Sequence, residues 1–248
     1  MPDYGTYCPV SIASEVVADR WTPLILRELV LGNTRFNDIA RGLPGISRSL
    51  LVQRLKHLER RGVVDVRPLA SGRGHEYHLT DAGRDLEAVL HALGRWAVQW
   101  MYHELDANDI EAEALMWWLH RRVDASALPA GRVVVEFDHT APVRRRIWLL
   151  ANRGELSVCL FDPGFGVDAV VTCTTPALAR AFSGERTWRD ATRAGDILVS
   201  GQRTVVSALP RWFLWSPWAD DVRRRVAGGA GSAGAAMSTD RSLRRAAG

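Results

Sequence analysis

At 248 residues the chain exceeds one average domain and falls short of three, so two domains are the natural reading. Hydrophobic residues make up 47% and charged residues 24%, ordinary for a soluble globular protein and outside the range of disordered or fibrous chains. The formal net charge of +4 does not by itself imply nucleic acid, but nine Lys or Arg residues face only three acids between Arg35 and Arg73.

The first part of the chain reads as helical. Apolar residues recur at helical spacing over Val10–Asp19 and Trp21–Leu31, and Gly32-Asn33 is a stop signal. A short helix is expected over Phe36–Arg41. Gly42-Leu43-Pro44-Gly45 then forces a turn, because Gly permits positive φ and Pro cannot continue a helix. Ser47 is a good N-cap for a helix that runs to about Arg61 and stops at Gly62. Two extended pieces follow, Val63–Leu69 and His75–Leu79, joined by a Gly-rich hairpin tip over residues 70–74. A long helix then reaches about His103. Its stripe of Leu86, Val89, Leu90, Leu93, Trp96, Ala97 and Trp100 is broader than a small domain needs to cover.

The pattern changes near Asn108. A helix through Leu115 and Leu119 precedes four expected strands, Arg132–Asp138, Arg145–Asn152, Glu155–Phe161 and Ala169–Thr174. Helices over Pro176–Ser183 and Thr187–Ala194, a strand over Ile197–Ser200 and a helix over Thr204–Phe213 complete it, an α+β arrangement. The expected domains are residues 1–106, 107–226 and a disordered Gly/Ala/Ser tail over 227–248.

The helix opening at Ser47 carries the functional argument. Ile46, Leu51, Leu55 and Leu58 face one way, while Arg48, Ser49, Val52, Gln53 and Lys56 face the other. Small, amide and basic residues on an outward face suit a B-DNA major groove, where amide and guanidinium forks read base edges. Arg48, Ser49 and Gln53 are the candidate base contacts, and Arg35, Lys56 and Arg73 the candidate phosphate contacts, with Ser47, Arg54 and His75 beside them. A solvated helix face is the bland alternative. The ordered run of turn, helix and glycine-flanked wing favours DNA.

Residues 8–102 resemble the HxlR family of winged helix-turn-helix regulators. The likeness rests on Cys8-Pro9, Trp21 to Leu29, Arg35-Phe36-Asn37-Asp38-Ile39, Gly45-Ile46-Ser47, Leu51, Arg54-Leu55, Leu58-Glu59, Gly62-Val63-Val64, Tyr77, Leu79-Thr80 and Leu93-Gly94-Arg95-Trp96. The resemblance implies homodimers that bind double-stranded DNA at inverted-repeat operators, with the terminal helices in the dimer contact; the odd number of cysteines fits a reducing cytosol, so a cytoplasmic protein is expected. It also implies that a cysteine at position 8 can act as a redox sensor; a small hydrophobe is the other reading of Cys8.

Residues 110–215 resemble the sterol-carrier-protein-like domain through Thr174 to Leu178, Phe182, Gly184, Gly195-Asp196 and Val199-Ser200-Gly201. That likeness implies a mainly antiparallel sheet and helices around an apolar small-molecule effector. Trp117, Trp118, Phe137, Trp148, Leu150, Phe161, Phe182 and Trp188 are the candidate lining, with plain core as the alternative. The aromatic run from Trp212 to Trp218 suggests a covered interface, a closed pocket or a seal between domains.

Other classes find less support. The three cysteines, Cys8, Cys159 and Cys173, are too scattered for a disulfide framework or a metal site. No P-loop or GxSxG motif occurs, and Gly164-Phe165-Gly166 lacks the rest of a dinucleotide loop. No cofactor, metal or catalytic activity is expected. No signal peptide is read at the N-terminus, and no apolar run approaches the roughly 20 residues needed to span a bilayer. A ligand-free dimerisation or docking module is the competing role for the second domain.

Overall fold

The computed structural model describes residues 7–43, 45–69, 74–102 and 106–228. It divides into two compact units, Met1–Gly94 and Arg95–Gly248.

The first unit is a winged helix-turn-helix. Helices α1 (Pro9–Val17), α2 (Thr22–Val30), α3 (Phe36–Arg41) and α4 (Arg48–Arg60) precede strands β1 (Val64–Pro68) and β2 (His75–Leu79). Helix α5 (Asp81–Met101) follows and contains the division between the units. Proline lies in the first turn of both α1 (Pro9) and α2 (Pro23), where its missing N–H has no helical partner to lose. β1 and β2 pair antiparallel from Val64–Leu79 to Pro68–His75. A short third stretch joins them, because the Tyr77 N–H donates to the Thr34 carbonyl at 2.8 Å and Arg35 bridges Glu76. Ile25, Leu26, Ile39, Leu51, Leu55 and Leu58 form the centre of the core. Gly83 lets α5 press on the wing: a Cβ there would stand 2.3 Å from the Val63 carbonyl oxygen. Pro44 and the wing tip, residues 70–73, lie outside the described residues.

In the second unit α6 (Ala112–Arg121) precedes a sheet built from β3 (Val133–His139), β4 (Arg145–Asn152), β5 (Glu155–Cys159), β6 (Ala169–Cys173) and β7 (Ile197–Gly201). Helices α7 (Thr175–Ser183) and α8 (Trp188–Ala194) lie between β6 and β7 in sequence, and α9 (Arg203–Ala208) and α10 (Ala219–Gly228) follow. The strand order is β5-β4-β3-β6-β7. β3 pairs β6 in parallel and the other neighbours are antiparallel, so the sheet is mixed rather than the mainly antiparallel one expected. The reason is the crossover over residues 160–168, which carries the chain from β5 past β4 and β3 and re-enters in the direction of β3. Strand periodicity does not reveal such a pairing.

One face of the sheet carries the core. Val135, Phe137, Ile147, Leu149, Val171 and Ile197 pack with Leu115, Leu119, Leu178, Leu209 and Trp212 from the helical segments. Trp212 and Phe213 thus belong to the interior, which accounts for half of the aromatic run. Helix α10 was not expected. Its helical signal is carried by Ala219 and Val222 together with the i,i+3 pairs Asp220–Arg223 and Asp221–Arg224, too short an apolar pattern to register. Most of the expected disordered tail, from residue 229 onward, lies outside the described residues.

Candidate nucleic-acid interface

The interface begins with the cap of α4. Ser47 has an extended backbone, and its hydroxyl oxygen accepts the Leu50 N–H at 3.2 Å, satisfying one of the donors that a helix start leaves open. The three buried leucines, 51, 55 and 58, anchor the inner side. That fixes the opposite side: Ser49, Val52, Gln53 and Lys56 recur at i, i+3, i+4 and i+7, and all are exposed. Three of the expected contacts, Ser49, Gln53 and Lys56, therefore share one exposed strip with Arg48 at its N-terminal end.

Arg48 is held in place from α3. Its Nη2 donates to Asn37 Oδ1 at 2.9 Å, and its guanidinium carbon lies 5.0 Å from the centroid of the Phe36 ring. Neither Asn37 nor Phe36 was among the expected site residues. Their adjacency to the turn is visible in the sequence, but the reach of Arg48 across it is not.

Arg35 is exposed at the edge of the wing, 3.8 Å from Glu76, and His75 is exposed where β2 begins. Arg73 lies outside the described residues. Arg54 departs from the expectation. It is turned inward and ion-paired with Asp19, because its place beside Leu55 and Leu58 puts it on the flank that meets the end of α1. Arg61 pairs with Glu15 at 2.9 Å on the same flank, and a ring nitrogen of His57 lies 3.2 Å from the Glu15 carbonyl oxygen. Three contacts thus latch α1 and the segment just after it to α4 and its C-cap.

A buried carboxylate braces the helix-turn-helix from beneath. Glu28 is fully buried; its two oxygens accept from Arg27 Nη2 at 2.7 Å and Asn33 Nδ2 at 2.9 Å. The same Arg27 nitrogen also reaches the Gly42 carbonyl at 3.3 Å, linking the end of α2 to the turn before α4.

Cys8 is exposed at the N-cap of α1. The Ser11 N–H, then the Ser11 hydroxyl and the Val10 N–H, hold its thiol below the usual cysteine range.

The expected apolar lining of the second unit does not converge. Phe137 is core, and Phe182 and Trp188 pack against that core. Trp118 lies 6.2 Å from Phe182, ring centre to ring centre, and Trp188 lies 5.7 Å from Trp215. Trp148 and Leu150 pair with Glu136 and Val134, and so lie on the sheet face opposite Phe137. Trp117 packs edge-on against His120, and Phe161 is 84% exposed. Two concavities do occur in this unit. A groove of about 830 Å³ is lined by Thr140, Thr172, Thr174, Arg180, Glu185 and Asp196 among others. A cleft of about 350 Å³ is lined by Arg95, Trp100, Arg224 and Arg225 among others. None of the eight residues lines either. Among the described residues no His, Cys, Asp and Glu group could hold a metal ion, and no helix is long and apolar enough to cross a membrane.

The HxlR-like helix-turn-helix family model matches residues 16–105. The YvaP regulator of Bacillus subtilis is 41% identical over 91 residues, which is 36% of this chain and 83% of that protein. The chain belongs to the HxlR family. YodB, another HTH-type transcriptional regulator of Bacillus subtilis, is 35% identical over 97 residues, 38% of this chain and 87% of YodB. An uncharacterized HTH-type regulator of Mycobacterium tuberculosis is 45% identical over 93 residues; this HxlR-family chain spans 58% of that relative's length. These relatives are named as HTH-type transcriptional regulators, and the matched segment in this HxlR-family member is the winged helix-turn-helix itself.

Proposed function

We propose that this protein is a sequence-specific DNA-binding transcription regulator, acting in the cytoplasm as a homodimer on an inverted-repeat operator. The observation that carries the reading is the unobstructed strip of Arg48, Ser49, Gln53 and Lys56 along α4, placed by a Ser47 cap and a leucine core. In this reading Arg48, Ser49 and Gln53 contact base edges from the N-terminal half of the recognition helix. Arg35 and Lys56 contact phosphate, and the wing with Arg73 and His75 reaches an adjoining groove or backbone.

The dimer reading is supported by α5. Val89, Leu93, Trp96 and Trp100 are 43–57% exposed and recur at i, i+4, i+7 and i+11 on one helix face. So many large apolar groups on one stripe mark an interaction surface rather than scattered surface residues.

For the second unit, the α+β architecture is compatible with the sterol-carrier-like resemblance. The packed core face favours a docking or dimerisation module over an apolar-effector tunnel. A fluorescent fatty-acid analogue is then expected to show no saturable one-to-one uptake, and stoichiometric uptake would restore the effector reading.

Selection of duplexes from a randomised library with the full chain tests the main reading. Gln53→Ala should relax preference at one base pair by about 1–3 kcal/mol, and Lys56→Ala should weaken all duplexes and flatten the logarithmic salt slope by about one. A chain that enriches no duplex, with salt-independent binding, overturns it.

A further inference from the structure

The geometry points to a specificity device built from two elements: we propose that Asn37 and Phe36, on α3, are positioning residues that set the guanidinium of Arg48 in its base-reading orientation before DNA arrives. The inference rests on the DNA-binding reading above and names how the leading arginine of that site is aimed.

Arg48 is the first residue of α4, where recognition helices meet base edges. An arginine at such a place normally carries a large cost, because a long side chain with many rotamers must be ordered on binding. Here two restraints act on opposite features of the same group. The Phe36 ring packs one way against the hydrophobic core of the first unit and offers its other side to the guanidinium, 5.0 Å from carbon to ring centroid. That separation is within cation–π range and favours a guanidinium lying along the ring. Asn37 Oδ1 takes a single N–H, from Nη2 at 2.9 Å, and so selects one rotation of the planar fork. Arg48 has no other hydrogen-bond partner among the described residues, so the rest of the fork is left to meet guanine O6 and N7.

The positioning elements are themselves fixed. Phe36 and Asn37 open α3, whose backbone starts with Arg35 carbonyl accepting from Asp38 and Ile39 at 3.0 Å each, and Ile39 is fully buried. Asn37 is exposed and contributes nothing to the core, so its side chain is free to serve the arginine. An Arg48 that merely filled a solvated helix face would need neither restraint.

The test compares wild type, Asn37→Ala, Arg48→Ala and the double variant, all as full chains. Each is subjected to duplex selection from one randomised library, and each is titrated against the wild-type chain's own best-selected duplex. Asn37→Ala is expected to relax preference at the same base pair as Arg48→Ala. It should weaken binding to that duplex by about two- to tenfold, the scale of ordering one long side chain. The double variant should bind no more weakly than Arg48→Ala alone, and thermal stability should not separate Asn37→Ala from wild type. Phe36→Leu keeps an apolar group in the core and should reproduce the relaxation at that base pair if it folds with a wild-type circular dichroism spectrum. Additive losses, an unchanged selected motif, or relaxation at a different base pair overturn the proposal, the last because it would make Asn37 a reader in its own right. A wild-type chain that enriches no sequence removes the DNA-binding reading itself, a result separable from failure of Asn37 alone.

Discussion

Asp19 and Arg54 form an ion pair that fastens the segment after α1 to the inner flank of α4. The pair is mostly screened from water, and it is seconded by Arg61 on Glu15, so α4 cannot rotate without dragging α1. That pairing places Arg54 to hold the helix. Arg54→Ala is expected to lower stability by about 1–2 kcal/mol in urea denaturation, the range for a partly buried charged hydrogen bond. The duplexes it selects should keep the wild-type sequence. Unchanged stability with a relaxed motif would return Arg54 to the DNA-contacting set.

Glu28 makes a second prediction. A buried carboxylate is tolerated only when it is paired and hydrogen-bonded, and Glu28 has both Arg27 and Asn33. Glu28→Gln keeps the shape but removes the charge that draws Arg27 towards the Gly42 carbonyl. Arg27 is partly exposed and can rehydrate, so the expected cost is about 2 kcal/mol rather than the 3–5 of a stranded buried ion. Chemical denaturation of the full chain, followed by a probe in the first unit, reads it. A variant as stable as wild type would mean that the brace is redundant.

The first unit was largely legible because its signals are local. Ser47, Gly62, the leucine spacing of α4 and the hairpin between Leu69 and Gly74 each act within a few residues, and they agree with one another. What escaped was every relation spanning a turn or more: Arg54 reaching Asp19, Arg48 reaching Asn37, Glu28 reaching Asn33. Spacing shows which side of a helix a residue occupies but not what another helix brings to it. In the second unit, alternation identified the strands, while the parallel pairing of β3 with β6 depended on a crossover that carries no periodic mark. The eight expected pocket residues lie apart for a related reason. Phe137 and Trp148 are both strand aromatics, and only the register shows that they sit on opposite faces.

The apolar stripe of α5 gives a third prediction. Trp96 and Trp100 are each more than half exposed, so truncating one removes little from the fold of the single chain. If the stripe is the seam between two copies, Trp96→Ala should weaken dimerisation by about 2 kcal/mol, near thirtyfold, as loss of a central aromatic anchor does. Sedimentation equilibrium across the micromolar range measures it, with circular dichroism expected to be unchanged. A variant that dimerises as tightly as wild type places the seam elsewhere.

His139 supplies a pH dependence confined to the second unit. The ring is fully buried on the core face of β3, stacked 6.5 Å from Phe137, with Nδ1 3.0 Å from Thr175 Oγ1 and Nε2 without a hydrogen-bond partner among the described residues. Burial pushes its pKa below the ordinary value, and the charges of Glu113 and Asp138 only partly oppose that. Above about pH 6.5 the ring is neutral in both folded and unfolded chains, and its contribution is fully present. As pH falls through that value the unfolded chain takes up a proton that the folded chain resists, so stability declines until the lowered folded pKa is reached. His139→Asn supplies an amide to Thr175 but does not titrate. The fall in unfolding free energy between pH 7.5 and pH 5 should therefore be shallower in the variant, by no more than about 1.4 kcal/mol per pH unit. Full-length chain unfolded in urea at each pH, with the difference between wild type and variant as the readout, isolates this ring from the other histidines. Parallel pH profiles would show that the folded chain accommodates a charged ring at position 139 as readily as water does.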